Sequence, residues 1–454
     1  MAATTEAEPT FRRAVLLMTA TSFLVPAAGV ITAPILARAL SADGRGELAA
    51  ALAPAALALA VATLGLPDAV TFYLAKHPSF TRPALLWASL VTLGLSGLCM
   101  LGLVVALPFL SAGDPDLANL MVLAMAVTIP ALIIGVFRGA AVGRQMWRTV
   151  AVERLINTSS RILAFGVLWL LGELTVFAAV LVSVVTPLIS GLVYLRLLAR
   201  PPADETESPL ENGTIRPLLS FGSRVWLGSI ASMLLSRSSQ VLMVPLSSTA
   251  DLGLYTVAMT ISDMPLVVAM AVQGALFGVN SRTADSRQVT TTARLTLLAG
   301  IVGCTVLGGT LPFWIVPLFG AEFGAATVPT LMLMFSALLC IPGLMAATGL
   351  GAWGRPGLRS AGLAITLVVN VAVFVLLVPT LGVIGACWTS IASNVVLTTY
   401  MVLTASWVMK VPPADFVRLR GSDVSRGWQE AKRLVQRLCR RRPRTENPPE
   451  DRNK

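Results

Sequence analysis

Apolar runs long enough to cross a lipid bilayer recur along almost the whole chain. A membrane-spanning helix needs about 20 predominantly apolar residues. By that measure the sequence predicts about twelve spans: 14–37, 48–69, 84–110, 119–140, 151–171, 175–197, 221–246, 253–279, 294–316, 328–350, 360–379 and 383–408. With 55% hydrophobic and 13% charged residues, the chain has more apolar surface than a soluble protein of its size could bury. The pattern therefore predicts an all-α polytopic membrane protein.

The loops between the spans differ in charge, and this difference predicts the orientation. One set of loops carries Arg12/Arg13, Lys76/Arg82, Arg144/Arg148, Arg196/Arg200/Arg216, Arg282/Arg287, Arg355/Arg359 and the basic tail. The other set carries Asp114, Asp116, Glu173, Asp251 and Glu322, with almost no basic residue. Because cytoplasmic loops carry an excess of lysine and arginine, we expect a multi-pass protein with both termini in the cytoplasm.

The first outer loop is an exception to this charge pattern. Arg38 and Arg45 lie there beside Asp43 and Glu47. We expect these charges to pair locally, and a functional role at the outer mouth is the alternative.

Composition excludes several classes of function. The net charge of +11 would suggest nucleic acid in a soluble protein, but here the basic residues lie between spans and report topology, so no nucleic-acid partner is expected. The five cysteines form no metal-binding spacing, and His77 is the only histidine. No P-loop, HExxH or GxSxG pattern is present. We expect no metal, no cofactor and no catalytic site.

Polar residues share one face of the predicted fifth span. Glu153, Arg154, Asn157, Ser160 and Arg161 fall within about a third of the helix circumference at 3.6 residues per turn. Arg161 should lie about 15 Å from the cytoplasmic end, which is mid-membrane. Since a charged side chain facing lipid is costly, we expect this face to line a cavity. Neutralisation of Arg161 by Glu153 or by a carboxylate of another helix is the alternative.

The seventh span, 221–246, carries a second polar face. Its members are Ser229, Ser232, Ser236, Ser239 and Gln240, flanked by Arg224 and Arg237. We expect Arg237 and Gln240 to line the same cavity and to face span five. Arg224 is nearer the membrane surface, and we expect it to anchor the helix at the interface. The alternative is that Arg224 lines the cavity.

Asp263 in span eight is the only acidic residue well inside the predicted bilayer. It is a candidate counter-charge to Arg237 or Arg161, a candidate ion-coupling carboxylate, or both, and Glu153 is the second candidate for these roles. Asn370 and Asn394 are expected to make helix–helix hydrogen bonds.

Taken together, the predicted cavity is strongly positive. It would hold Arg154, Arg161, Arg224 and Arg237 against little acid. Because a guanidinium binds phosphate with a planar bidentate fork, the cavity predicts a substrate with phosphate or another fixed negative charge, and argues against a cationic drug.

A weak internal repeat divides the chain into two halves. Residues 40–43 lead into Gly46 after span one, and residues 246–249 lead into Gly253 after span seven. We therefore expect two parallel six-helix lobes with a binding site between them. The predicted ranges are 1–200 for the first lobe, 201–219 for a cytoplasmic linker, 220–409 for the second lobe and 410–454 for a basic cytoplasmic tail.

The tail carries a helical pattern over Ser425–Arg441, with apolar residues on one side and arginines around them. Two interpretations stand equally: an amphipathic helix lying on anionic lipid, and a disordered tail whose arginines set the topology.

Four short segments resemble those of a known family. They are Arg38–Gly46, Leu64–Val70, Ser238–Ala258 and Val378–Ala386. In order and spacing the chain resembles the polysaccharide export branch of the multidrug/oligosaccharidyl-lipid/polysaccharide exporter superfamily, the O-antigen and teichuronic acid flippase-like proteins. One departure is that Ser238-Ser239-Gln240 follows Arg237 where many relatives have an acidic residue, so an ion-coupling scheme that uses that position does not carry over.

The resemblance implies a V-shaped pair of six-helix lobes in the bacterial cytoplasmic (inner) membrane. It implies alternating access that moves an undecaprenyl-pyrophosphate-linked sugar to the outer leaflet, for polysaccharide biosynthesis such as that of lipopolysaccharide O-antigen. The implied partners are the lipid-linked glycan, membrane lipids, a polysaccharide polymerase and glycosyltransferases. The alternatives are a cation-coupled multidrug exporter of the same superfamily and a non-transporting membrane scaffold for envelope synthesis.

Overall fold

The computed structural model describes residues 7–76, 81–195, 216–283 and 285–420, and these segments form twelve α-helices. The helices are α1 (Ala7–Ala62), α2 (Leu66–Lys76), α3 (Thr81–Leu110), α4 (Pro115–Gly143), α5 (Trp147–Leu170), α6 (Val176–Gly191), α7 (Arg216–Leu246), α8 (Thr249–Ser262), α9 (Met264–Thr283), α10 (Ser286–Phe319), α11 (Thr327–Ala352) and α12 (Pro356–Met409). Short 3₁₀ turns occupy Leu192–Tyr194, Ala321–Ala326 and Pro413–Phe416.

Two of these helices are too long for a single crossing. α1 has 56 residues and α12 has 54, or about 80 Å each against a hydrocarbon core of about 30 Å. Each is broken by one residue with positive φ, Ser41 at 63° and Gly382 at 55°. The arms of α12 run antiparallel, because the Asn370 side chain donates to Ser393 on the other side of the break at 2.9 Å.

By length and apolar composition, seven of the described helices can span a membrane, or eight if the bent pair α8 and α9 forms one span. The chain is thus a multi-pass membrane protein of the predicted all-α class, and the count of twelve spans stays a prediction. The α5 helix is not among the seven because its charged face lowers its hydropathy.

Several helix boundaries differ from the predicted ones, and two of the differences change the shape of a span. Span two ends at Ala62 rather than at residue 69, and a separate short helix α2 follows it. Span eight bends by 49° between Ser262 and Met264. Pro265 explains the bend, since its ring has no N–H to donate and clashes with the carbonyl of the preceding turn.

The surface and the interior show the distribution expected of a membrane protein. Large apolar side chains such as Val105 and Phe313 are 75% and 80% exposed, and they face lipid in a bilayer. Inside, alanines are numerous among the buried residues, which lets helices approach closely. Hydrogen bonds join the last helices to their neighbours: Asn370 accepts from Ser238 at 3.0 Å and Asn394 donates to Ser336 at 2.9 Å. The predicted helix–helix role of both asparagines is confirmed.

We call the outer end of the bundle the one that the loop charges predict to face away from the cytoplasm, and the opposite end the inner end. Towards the outer end, two apolar cores take residues from both halves of the chain, the larger one including Leu48, Phe165, Leu252 and Phe374. Towards the inner end each half has its own core, one built on α2–α5 and the other on α7 and α9–α12. The halves therefore share apolar core at the outer end, whereas at the inner end each half packs around its own core and a hydrogen bond from Trp226 to Ala60 links the two.

The outer junction centres on two glycines that the sequence repeat singled out. A Cβ on Gly46 would collide with the carbonyl oxygen of Thr249, and a Cβ on Gly253 would collide with that of Ala42. Gly46 lies four residues after Ala42, whose carbonyl covers Gly253. Gly253 lies four residues after Thr249, whose carbonyl covers Gly46. The second arm of α1 and the start of α8 thus cross with near two-fold symmetry at backbone contact, which only glycine permits.

Polar contacts surround this crossing. The Thr249 hydroxyl donates to Asp43 at 2.9 Å, and the Ala42 amide donates to Glu322 at 2.9 Å. Arg38 donates to the carbonyls of Pro317 and Leu318, which are free at the end of α10. The expected local pairing of Arg38 is therefore wrong. We call residues 38–46 and their partners at 247–253 and 317–322 the outer clasp.

The first residues of the predicted tail pack against the second half of the chain. Phe416 is fully buried, and Arg294 of α10 donates to the carbonyl of Asp415 at 2.8 Å. Residues 201–215 of the predicted linker lie outside the described residues, and so does the predicted tail helix Ser425–Arg441.

Replacing either clasp glycine should open the outer end. We expect Gly46→Ala and Gly253→Ala each to lengthen the distance between spin labels at Ala112→Cys and Thr380→Cys, because an added Cβ separates the two backbones. The readout is the label distance distribution of purified protein whose native cysteines are replaced. Gly94→Ala is the matched control, since a Cβ there meets nothing within 4 Å. An unchanged distribution in both clasp variants would contradict the steric argument.

Candidate functional site

Three connected cavities lie inside the bundle, and residues of both halves line each of them, although Met233 alone represents the second half in the middle one. The arginine cavity, of about 480 Å³, is lined by polar residues of α1, α5, α7 and α8 with Asp263: Arg45, Arg161, Ser236, Arg237, Gln240, Thr256, Thr260 and Asp263. The middle cavity, of about 750 Å³, shares Arg161, Leu52 and Ala56 with it. The interlobe cleft, of about 560 Å³, shares Asp68, Met233 and three neighbours with the middle cavity. One continuous space thus runs from the arginines towards the inner end.

Arg45 is a cavity residue that sequence reasoning placed in the outer loop. The break at Ser41 starts the second arm of α1 earlier than predicted, so Arg45 lies within a helix and points into the arginine cavity. Its Nε is buried and has no hydrogen-bond partner in the described part of the chain. The predicted pairing with Asp43 or Glu47 is therefore wrong for Arg45 as well.

Arg161 lies on α5 and lines both the arginine cavity and the middle cavity. Its guanidinium carbon is 5.7 Å from the ring centre of Phe165, one turn further along the helix, within range of a cation–π contact. As in Arg45, its buried Nε has no hydrogen-bond partner among the described residues. Two guanidinium groups thus share one cavity with donors left over, a costly state in an otherwise closed interior.

Arg237 and Gln240 form the contribution of α7. They are three residues apart, hence on one face of the helix, and Arg237 Nη1 donates to Gln240 Oε1 at 2.8 Å. The bond fixes the guanidinium against its own helix and leaves its other N–H groups for a ligand.

Asp263 is the one carboxylate in the lining of the arginine cavity. It caps the C-terminal end of α8 at the 49° bend, and its side chain is exposed to the cavity. Three arginines against this single acid leave an excess of two positive charges. A cavity of this kind favours an anion.

The middle cavity adds further polar groups. Asn157 lines it with a buried Oδ1 that has no partner among the described residues. Arg138, Thr128 and Ser183 also line it. Arg161 and Asn157, predicted to share a face, therefore do lie at one cavity.

The role of Glu153 differs from the predicted one. Its fully buried carboxylate accepts two hydrogen bonds from Arg138 of α4, at 2.8 and 3.2 Å, and further bonds from Tyr194 at 3.3 Å and Ser190 at 3.5 Å. Glu153 therefore neutralises Arg138, not Arg161 or Arg237. The paired guanidinium is fixed at the wall of the middle cavity.

Other predicted residues are placed differently. Arg154 is half-buried on α5 and is not part of the lining of these three cavities. Arg224 lies in α7, but its side chain is outside the described set. The serine face of α7 divides, since Ser232 and Ser236 line the interlobe cleft whereas Ser239 is buried.

Sequence reasoning missed Arg45, Arg138 and Asp68 as lining residues. A signal existed for Arg138, because it falls within the predicted span 119–140 and an arginine there needs a partner or water. In the described residues, no group of three His, Cys, Asp or Glu side chains could hold a metal ion.

Removing the carboxylate of Glu153 should destabilise the fold. In Glu153→Gln the Arg138 guanidinium loses its charged partner, and we expect the free energy of unfolding to fall by roughly 1–3 kcal/mol. Thermal unfolding in detergent would show it as a lower Tm. Asp116→Asn, an exposed acid at the outer end, serves as control and should leave the Tm unchanged. If both variants melt like the wild type, the pair is not structural.

Comparison of the sequence with family models identifies one family. The family described as polysaccharide biosynthesis protein matches residues 11–284, more than half of the 454 residues. No curated protein sequence matches the chain significantly.

Solved structures share the fold. The lipid II flippase MurJ in an inward closed conformation has a TM-score of 0.71 at 12% identity, over 95% of this chain and 94% of that one. An inward-facing multidrug resistance MATE family transporter has a TM-score of 0.64 at 15% identity, over 87% and 99%. The outward-facing conformation of such a transporter has a TM-score of 0.53 at 15% identity, over 86% of this chain and 96% of that one.

Identities this low show a shared fold alone. Family membership instead follows from the sequence match over residues 11–284. The expected fold is confirmed, since it is shared with a solved MATE family transporter and with the solved lipid II flippase MurJ. The chain belongs to the polysaccharide biosynthesis protein family.

Proposed function

We propose that this protein translocates a polyprenyl-diphosphate-linked glycan across the bacterial cytoplasmic membrane by alternating access, for synthesis of a cell-surface polysaccharide. The observation that carries the proposal is the arginine cavity, where Arg45, Arg161 and Arg237 face one carboxylate. The buried Nε groups of Arg45 and Arg161 have no partner in the described chain. A diphosphate supplies the acceptors that these donors lack.

The chemistry of the ligand follows from that of the donors. A guanidinium presents N–H groups in a planar fork that matches phosphate oxygens. In a cavity screened from bulk water each such bond is stronger than at a surface. A fixed diphosphate can engage several arginines at once, which a singly charged or cationic ligand cannot do.

The conformation fits loading from the cytoplasmic leaflet. The outer clasp is closed, and the connected cavities extend to the interlobe cleft between the separate inner cores. Positive loops at the inner end support a cytoplasmic orientation of that end and of both termini. A lipopolysaccharide O-antigen precursor is one substrate of this class, and a polymerase and glycosyltransferases are the partners such a pathway would need.

Transport in proteoliposomes tests the proposal. With a radiolabelled undecaprenyl-diphosphate-linked sugar as substrate, we expect Arg45→Ala, Arg161→Ala and Arg237→Ala each to lower the transport rate by about tenfold or more, since each removes a charge-assisted contact of about 1.5–3 kcal/mol. Lysine at the same positions should retain part of the activity, because it keeps the charge but loses the fork.

Arg287→Ala is the matched control, being an exposed arginine at the start of α10. Failure of the wild type to transport any such lipid would refute the proposed function. Wild-type rates in all three alanine variants would instead remove the cavity from the mechanism and favour a scaffold.

A cation-coupled multidrug exporter is the second candidate, and Asp263 is the observation that favours it. Its carboxylate is exposed to the arginine cavity beside Met259 and Thr260, where it could bind a cation or a proton.

This candidate predicts ethidium efflux from cells that express the protein, and loss of that efflux in Asp263→Asn. We expect no efflux above the empty-vector level from the wild type, because the arginine excess repels a cationic drug. Efflux that disappears in Asp263→Asn would favour the exporter over the flippase.

A further inference from the structure

The interlobe cleft has a chemistry of its own. It lies between the end of α1 and the start of α2 on one side and α7 and α12 on the other. An indole and a carboxylate, Trp226 and Asp68, share its walls with Arg359 and small hydroxyl side chains. Because Asp68 and Met233 also line the middle cavity, a ligand anchored at the arginines has a continuous path into the cleft.

Trp226 is held as a fixed aromatic surface. Its Nε1–H donates to the carbonyl of Ala60 at 3.0 Å. Ala60 lies in the last turn of α1, where carbonyls lack partners within the helix. The bond uses the edge of the indole, so the ring position is set while its faces stay available for stacking.

Asp68 stands where the cleft meets the middle cavity. It lies in the first turn of α2, a favourable place for a carboxylate, and its side chain is exposed to both spaces. No hydrogen bond or ion pair holds this carboxylate within the described chain. Both oxygens are free to accept from a ligand.

We propose that the interlobe cleft is the glycan-recognition subsite of this protein. A sugar ring has an apolar C–H face that stacks on Trp226 and a rim of hydroxyls that donate to Asp68. Asp68 and Arg359 give the cleft one charge of each sign, without the positive excess of the arginine cavity, so the cleft suits the uncharged part of the substrate while the three cavity arginines take the diphosphate. The inference rests on the proposed function and adds to it the residues that read the sugar.

Binding of two lipids to the full chain in nanodiscs tests the subsite. The probes are undecaprenyl diphosphate, which has no sugar, and undecaprenyl-diphospho-N-acetylglucosamine. We expect Asp68→Asn to weaken binding of the sugar-bearing lipid by about tenfold, the size of one charge-assisted hydrogen bond. Trp226→Ala should weaken it by up to about tenfold through the lost stacking contact. Both should change binding of the sugar-free lipid by less than about twofold.

Two matched variants separate recognition from folding. Trp226→Phe loses the bond to Ala60 but keeps an aromatic face, and should bind the sugar-bearing lipid more tightly than Trp226→Ala. Asp116→Asn removes an acid at the far end of the bundle and should match the wild type with both lipids.

The outcomes distinguish this inference from the proposed function. Unchanged binding of the sugar-bearing lipid, or equal weakening for both lipids, overturns the subsite while leaving the proposed function in place. A wild type that binds neither lipid refutes the proposed function and the subsite with it.

Discussion

The cost of placing a charge in a bilayer is the constraint on which this structure depends. Arg45, Arg161 and Arg237 each lie within a helix surrounded by apolar residues, and none could face lipid without a large penalty. Their three helices, α1, α5 and α7, come together around one cavity, where the charges face each other and any bound water or ligand. The apolar exterior and the charged cavity both follow from the cost of exposing a charge to lipid.

The cavity also depends on how the halves are joined. The crossing of Gly46 and Gly253 brings two helices to backbone contact at the outer end, and a shared apolar core surrounds it. At the inner end, the described residues of each half form a core of their own. A cleft between two separately packed units can widen or close without breaking either unit, which is the property that alternating access needs.

Arginine has two roles here, and the partner decides which. Arg138 is bound by Glu153. Tyr194 and Ser190 donate to the same carboxylate, and this buried network stabilises the first half of the chain. Arg161, on the same helix as Glu153, has no acid within hydrogen-bonding distance among the described residues. A paired arginine contributes to stability, whereas one with buried, unused donors is available to a ligand.

The sequence by itself determined the helical class, the polar faces of α5 and α7, and the paired glycines, because helical periodicity and turn residues are local properties of the chain. It also predicted Arg161, Arg237, Gln240 and Asp263 as members of one charged cavity. Only the tertiary structure decided that Arg45 joins them, that Glu153 pairs with Arg138, and that Asp68 and Trp226 line the same cleft. These outcomes depend on distances between helices remote in sequence, which periodicity within one helix does not contain.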